Sequence, residues 1–231
     1  MKFELPISAV AFDAAGTLIY PDPPAGDVYA ETGRRHGSRL TAPEITDAFR
    51  RRFAAEEAQD RSGRLQTSEL REIERWRGIV RDVLHDVAEP ETCFQELYAH
   101  FSRPDAWKLY PDATETVARL LEAGWAVAVT SNFDRRLPTL CRAFPPLDRC
   151  APLVISAEVG YRKPHPEFFA RAATLIGHPP ARLLHVGDDH DNDYLGARRA
   201  GWQSVLVARR HTRPSAAAVR DLRELLPFIL G

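Results

Sequence analysis

The chain has 231 residues, 44% of them hydrophobic and 27% charged, with a formal net charge of −1. That length suits one large domain, or one domain carrying an insertion, with enough chain for a real core. The charge balance, without long single-sign runs, offers no electrostatic reason to bind nucleic acid or a membrane surface, and no apolar stretch approaches the roughly 20 residues that span a bilayer.

Residues 7–12 form a short apolar run that predicts a buried strand. A turn-rich passage follows, Pro21-Asp22-Pro23-Pro24. From about 27 to 101 the pattern is helical, and Thr41-Ala42-Pro43-Glu44 reads as a capping box opening one of the helices. Leu70, Ile73, Trp76, Val80, Leu84 and Val87 recur at spacings of three and four, which predicts an amphipathic helix of about five turns. Glu91 to Phe101 reads as a further helix, and no strand signal appears between 20 and 107. Asp112-Ala113-Thr114-Glu115 starts a helix that ends at Gly124. Strands are then expected at 125–130, 153–156, 183–186 and 204–207, with helices between them at about 135–143, 166–176 and 191–200. Strands alternating with helices, and apolar throughout, predict a doubly wound α/β fold with a parallel sheet. The core is expected over residues 1–19 and 108–231, interrupted by a helical insert at about 20–107.

The N-terminus, with one lysine and then an aspartate at position 13, does not read as a signal peptide. Cys93, Cys141 and Cys150 are widely spaced and form no CxxC pair, so they read as reduced, buried thiols of a cytoplasmic protein. In doubly wound sheets, ligands sit at the carboxyl ends of the strands. Four strand ends here deliver Asp13, Ser131-Asn132, the loop Glu158 to Lys163, and the acidic run Asp188 to Asp193.

Four motifs in that order carry a resemblance. They are Phe12-Asp13-Ala14-Ala15-Gly16-Thr17-Leu18, Thr130-Ser131-Asn132, Gly160-Tyr161-Arg162-Lys163-Pro164, and Val186-Gly187-Asp188-Asp189-His190-Asp191-Asn192-Asp193. Together they resemble the haloacid dehalogenase superfamily, subfamily I, with a helical cap inserted after the first strand. Ser131 to Leu137 further resembles the branch related to the rhythmically expressed gene 2 product. The resemblance implies a Rossmann-like core and a hydrolase, a phosphatase of a small phosphorylated metabolite. It implies that Asp13 is a nucleophile forming a covalent acyl intermediate. A carboxylate at a strand end is chemically suited to that, since it splits one displacement into two.

Asp13, Asp188 and Asp193 would place about three negative charges near one point, which a hard divalent cation such as Mg²⁺ resolves. The backbone carbonyl of Ala15 would add a ligand that any residue type can supply. Lys163, one of three lysines in the chain, can pair with Asp13 and neutralise a transferring phosphoryl group. Ser131 and Asn132 offer a hydroxyl and an amide to phosphate oxygens. Asp189-x-Asp191-x-Asp193 lacks the glycine and the downstream glutamate of a calcium loop; Asp189 and Asp191 read as solvated or as helix caps. His185 and His190 read as structural. Arg135 and Arg136 either reach an anionic substrate or lie on an exposed helix face, and Arg34, Arg35, His36 and Trp76 are candidates for setting specificity.

In the phosphatase pattern, position 15 is an aspartate that protonates the leaving group, which Ala15 cannot do. Four readings follow. A Mg²⁺-dependent phosphatase with altered or slow leaving-group protonation leads, and a weak or inactive binding or regulatory protein comes second. A chain similar to phosphonoacetaldehyde hydrolase would need a cap lysine for a Schiff base, and residues 20–107 contain none. A metal-free 2-haloacid dehalogenase gives no reason for the acidic loop.

Overall fold

The computed structural model describes residues 6–63, 65–209 and 217–231; Lys2 lies outside them. The chain enters through β1 (Ala9–Phe12) and turns at Asp13 to Leu18 into the short β2 (Ile19–Pro21). Four helices follow: α1 (Ala25–Arg35), α2 (Ala42–Ser62), α3 (Glu69–Val83) and α4 (Pro90–His100). β3 (Trp107–Leu109) leads to α5 (Pro111–Glu122), β4 (Ala126–Ser131), α6 (Leu137–Ala143), β5 (Leu153–Ile155), α7 (Ser156–Val159) and α8 (Pro166–Ile176). Next come β6 (Leu183–Gly187), a wide π-helical turn over His190–Leu195, α9 (Gly196–Arg199), β7 (Gln203–Val207), β8 (Ala218–Val219) and α10 (Leu226–Ile229).

Six strands form one parallel sheet in the order β5-β4-β1-β6-β7-β8. β1 is central, and its period-two alternation feeds two cores. Val10 and Phe12 join the larger cluster with Val117, Leu120 and Leu184. Ala9 and Ala11 face the other side, where two small side chains leave room for Phe168 and Phe169 from α8. Leu120 is fully buried in the first cluster. Leu120→Ala is expected to cost about 2–5 kcal/mol, through lost transfer energy plus a cavity. Urea unfolding checks this as a lower midpoint with an unchanged slope.

α1 to α4 pack on one another around their own cluster, including Tyr29, Ile45, Ile79, Val83, Phe94 and Leu97. The capping box at Thr41 is present: its hydroxyl accepts from Glu44 N at 3.5 Å, and the Glu44 carboxylate accepts from Thr41 N at 2.8 Å. β2 and β3 pair antiparallel at the neck of this helical segment, Ile19 opposite Leu109 and Pro21 opposite Trp107.

Several sequence-based expectations change. Residues 19–21 and 107–109 are strands, although no strand signal was expected at the insert; three-residue ribbons are too short for a periodic signal. The long amphipathic helix stops at Val83. Leu70, at its first turn, is 75% exposed, while Leu84 and Val87 are buried beyond its end. Spacing alone therefore merged a surface leucine and two loop residues with the true apolar face of Ile73, Trp76 and Val80. Asp112 is not the cap of α5, which Tyr110 begins. Its buried carboxylate instead accepts from Arg209 Nη1 and Leu222 N, both at 2.8 Å.

Candidate active site

Asp13 follows β1 directly and is 7% exposed. β4 ends on Ser131, whose hydroxyl donates to Asp13 Oδ1 at 3.0 Å. Lys163 arrives from the turn before α8 and is almost fully buried. Its ammonium donates to Asp13 Oδ1 at 2.8 Å, to Asp193 Oδ1 at 2.6 Å and to Thr130 O at 2.9 Å. Those three acceptors match the three donors of the group, so its direction is fully determined. Asn132 holds the lysine backbone from both sides: its Oδ1 accepts from Lys163 N at 2.7 Å and its Nδ2 donates to Lys163 O at 3.0 Å.

Asp188 and Asp193 come from the loop after β6. Oxygens of Asp13, Asp188 and Asp193 lie within 4.8 Å of one another. Thr17 Oγ1 donates to Asp188 Oδ1 at 3.1 Å, and Asp189 N donates to Asp193 Oδ2 at 3.0 Å. Two glycines let backbone approach these carboxylates. A Cβ on Gly16, at φ +94°, would lie 2.4 Å from Asp188 Oδ2, and one on Gly187 would lie 2.3 Å from Asp193 Cγ. Asp189 Oδ1 accepts from Asp191 N and Asn192 N, both at 2.8 Å, so Asp189 caps the wide turn.

The electrostatics follow from this crowding. Burial pushes the Asp13 carboxyl up, and Lys163 only partly offsets it. Asp188 keeps solvent exposure at the mouth of the cleft. Withdrawal of its carboxyl from bulk water, with the charges of Asp13 and Asp193, pushes it up to about 8. For Asp193, burial works in the same direction, but Lys163 and His185 outweigh it and hold the carboxyl low. Lys163 is held above the ordinary lysine range, because the charges of Asp13 and Asp193 outweigh its burial. Burial lowers the His185 imidazole, whose Nε2 donates to the acceptor-only carboxylate of Asp193 at Oδ1, 3.0 Å away, while Nδ1 lies 3.2 Å from Thr130 Oγ1. Crowding that makes ionisation of Asp13 and Asp188 costly is relieved by a divalent cation, and the three carboxyl groups offer the oxygen donors a hard cation prefers.

Ala15 sits exposed between Asp13 and Gly16. A cavity of about 710 Å³ opens from Gly16 and Asp188 and is lined by Tyr20, Phe49, Arg50, Tyr110 and Arg209. The structure thus brings together Asp13, Ser131, Asn132, Lys163, Asp188 and Asp193. It gives Arg136 another setting: the guanidinium is buried, pairs with Asp134 at 2.7 Å and lies 4.2 Å from the centre of the Tyr98 ring. Arg135 pairs with Glu69 at 3.0 Å. Arg34 pairs with Glu31, while Arg35 and His36 meet Glu96, each at 2.9 Å. Trp76 packs near Phe53 in the helical cluster. Thr17 is a contact of the acidic cluster that residue-type reasoning passed over, although it stood inside the first motif and was legible there. His185, read as structural, bonds Asp193 and Thr130.

The central strand of a parallel sheet thus ends in a carboxylate, faced by a buried lysine and two further carboxylates. The description of haloacid dehalogenase-like hydrolases matches residues 7–201, and the chain belongs to that family of hydrolases. It is 30% identical over 226 residues to haloacid dehalogenase-like hydrolase domain-containing protein 3 of Bos taurus, covering 96% of this chain and 89% of that one. It is 26% identical over 230 residues to the rhythmically expressed gene 2 protein of Drosophila melanogaster, covering 93% and 87%. Among solved structures, the putative hydrolase YfnB of Bacillus subtilis, bound to magnesium, superposes with a TM-score of 0.78 at 16% identity, covering 98% and 100%. A defluorinating L-2-haloacid dehalogenase superposes with the same TM-score of 0.78 at 18% identity, covering 97% and 96%. These two structural likenesses concern the fold, and the choice of reaction rests on the site.

Proposed function

We propose that the protein is a Mg²⁺-dependent phosphatase of a small phosphorylated metabolite, working through a phosphoryl-aspartate on Asp13. The observation that carries this is the acidic triad of Asp13, Asp188 and Asp193 around a lysine that bonds two of its members. A metal-free displacement of halide gives no reason to gather two further carboxylates beside the nucleophile. Asp13, Asp188, Asp193 and the backbone carbonyl of Ala15 would hold Mg²⁺, which when bound supplies a positive charge for phosphate oxygens.

The chain's own residues do the rest. Ser131 and Lys163 hold Asp13 Oδ1, which leaves Oδ2 as the attacking oxygen. Oδ2 bonds to phosphorus as the bond from phosphorus to the leaving oxygen breaks. Water then attacks phosphorus, the bond from phosphorus to Oδ2 breaks to restore the carboxylate, and the protons of the water leave with the phosphate and to solvent. Lys163 offsets charge on the transferring group, and Asn132 keeps Lys163 in place. Residues 20–107 act as a cap over a core of 1–19 and 108–231, a division that the separate hydrophobic cluster of the helices and the ribbon at its neck support. With Ala15 in the acid's place, the favoured substrates carry good leaving groups, such as acyl or aryl phosphates. The near-neutral net charge fits a small metabolite rather than nucleic acid, and the three buried, unpaired cysteines fit the reducing cytoplasm. No helix among the described residues is long and apolar enough to cross a membrane.

Purified protein with Mg²⁺ is expected to release phosphate from an aryl phosphate. Excess chelator should reduce that rate on the order of 10²-fold or more, since a cation at the reacting oxygens contributes several kcal/mol, and added Mg²⁺ should restore it. No phosphate release together with no Mg²⁺ binding by calorimetry would overturn the proposal. Halide release from a 2-haloacid without metal would establish the dehalogenase instead.

A further inference from the structure

Away from the cavity, the helical segment meets the core through a buried cluster of charges. Arg162, from the core, donates to Glu72 Oε1 at 2.6 Å and to Glu57 Oε1 at 3.0 Å, and its Nε lies 3.3 Å from Asp60. Arg75, within the segment, bonds the same Glu57 at 2.5 Å and Asp60 at 2.6 Å. Burial works to raise the Glu57 carboxyl, but Arg162 and Arg75 outweigh it and keep it ionised. Backbone pairing runs beside the cluster: Arg162 N donates to Leu65 O and Thr67 N to Gly160 O, both at 2.9 Å. All this would serve to fasten a cap. One contact is not explained that way. The second oxygen of Glu57 accepts from Asn192 Nδ2 at 3.0 Å, and Asn192 belongs to the acidic loop rather than to the Arg162 strap.

Arg162 immediately precedes Lys163, and Asn192 immediately precedes Asp193. Lys163 and Asp193 are themselves joined at 2.6 Å beside Asp13. A single carboxylate from α2 therefore grips the residue before each member of that pair, across a sequence separation that local structure cannot bridge. We propose that Glu57 is a positioning residue: by holding Arg162 and Asn192 at once, it sets the spacing between the Lys163 turn and the acidic loop. The seating of the helical segment is then read directly by the geometry of the catalytic lysine and the metal carboxylates. The inference rests on the phosphatase reading of those residues.

The test compares wild type, Glu57→Gln, Asn192→Ala, the double variant and Leu120→Ala. Each is assayed with an aryl phosphate and Mg²⁺, with melting temperature and Mg²⁺ affinity by calorimetry measured alongside. Glu57→Gln keeps the shape of the side chain but turns an amide donor toward partners that also donate. Asn192→Ala removes only the Asn192 link, leaves the buried ion pairs whole, and stays informative if Glu57→Gln folds poorly. The expected result is a kcat lowered about tenfold in each single variant, with KM changed less than about twofold and Mg²⁺ bound several-fold more weakly. The double variant should be no worse than the weaker single, because both break one path. Leu120→Ala should lose melting temperature and keep its kcat. Multiplicative losses in the double variant, or a kcat that follows melting temperature as in Leu120→Ala, would overturn the positioning role. An active wild type with unaffected variants overturns this inference alone, whereas a wild type inert toward the aryl phosphate overturns the phosphatase reading and this with it.

Discussion

Ala15→Asp is expected to raise phosphate release from an alkyl phosphate by on the order of 10²–10⁴-fold, the usual contribution of a positioned general acid. The alanine is exposed two residues after the nucleophile, so a longer side chain can enter the cleft without displacing core atoms. A carboxyl at this position would restore the acid of the phosphatase pattern beside the nucleophile. An aryl phosphate should gain far less, because its leaving group departs with little help. The comparison is made as kcat/KM on both substrates. Equal gains on the two would mean that the side chain acts through binding, and no gain on the alkyl ester would mean that leaving-group protonation is not what limits the enzyme.

Asp13→Asn should reduce release by about 10⁴-fold or more, to the level set by the remaining binding groups. The amide is nearly the same size and still accepts from Ser131 and Lys163 through its oxygen, so position is kept while nucleophilicity is lost. Folding should survive, because Lys163 retains Asp193 as a charged partner at 2.6 Å. Intact-protein mass spectrometry after acid quench adds a second readout: a phosphoryl increment on the wild-type chain and none on the variant. Residual turnover near the wild-type rate would show that another group attacks phosphorus.

The order of strands and helices was legible because buried strands here are short apolar runs and their connections are amphipathic. The strand ends were legible because the residues after them change abruptly to Asp13, Ser131 and Asp188. Pairing at the neck of the insert was not legible. Ile19 to Pro21 carries too few residues for a period, and what makes it a strand is Trp107 to Leu109, far along the chain. β8 was missed for the same reason; Ala218 and Val219 become a strand by lying beside Leu206 and Val207. Leu70 misled because three-and-four spacing records a helix face without recording what the face meets.

The arginines divide the same way. Arg136 and Arg162 look alike in sequence, and neither shows its partners there. One is enclosed by Asp134 and aromatic rings, and the other by Glu57, Asp60 and Glu72 from the helical segment. Only folding brings those partners near, since Glu57 and Arg162 are separated by 105 positions.

By itself, then, the sequence determined the class of fold, the chemical types gathered at the strand ends, and the loss of the usual acid at Ala15. All of these are properties of single residues or of short periods. The tertiary structure alone decided that Lys163 bonds Asp13 and Asp193 at once, that Asn132 grips the lysine backbone, and that Glu57 reaches both loops. Each of those is a distance between residues remote in the chain, and such distances exist only after the sheet has brought its strand ends together.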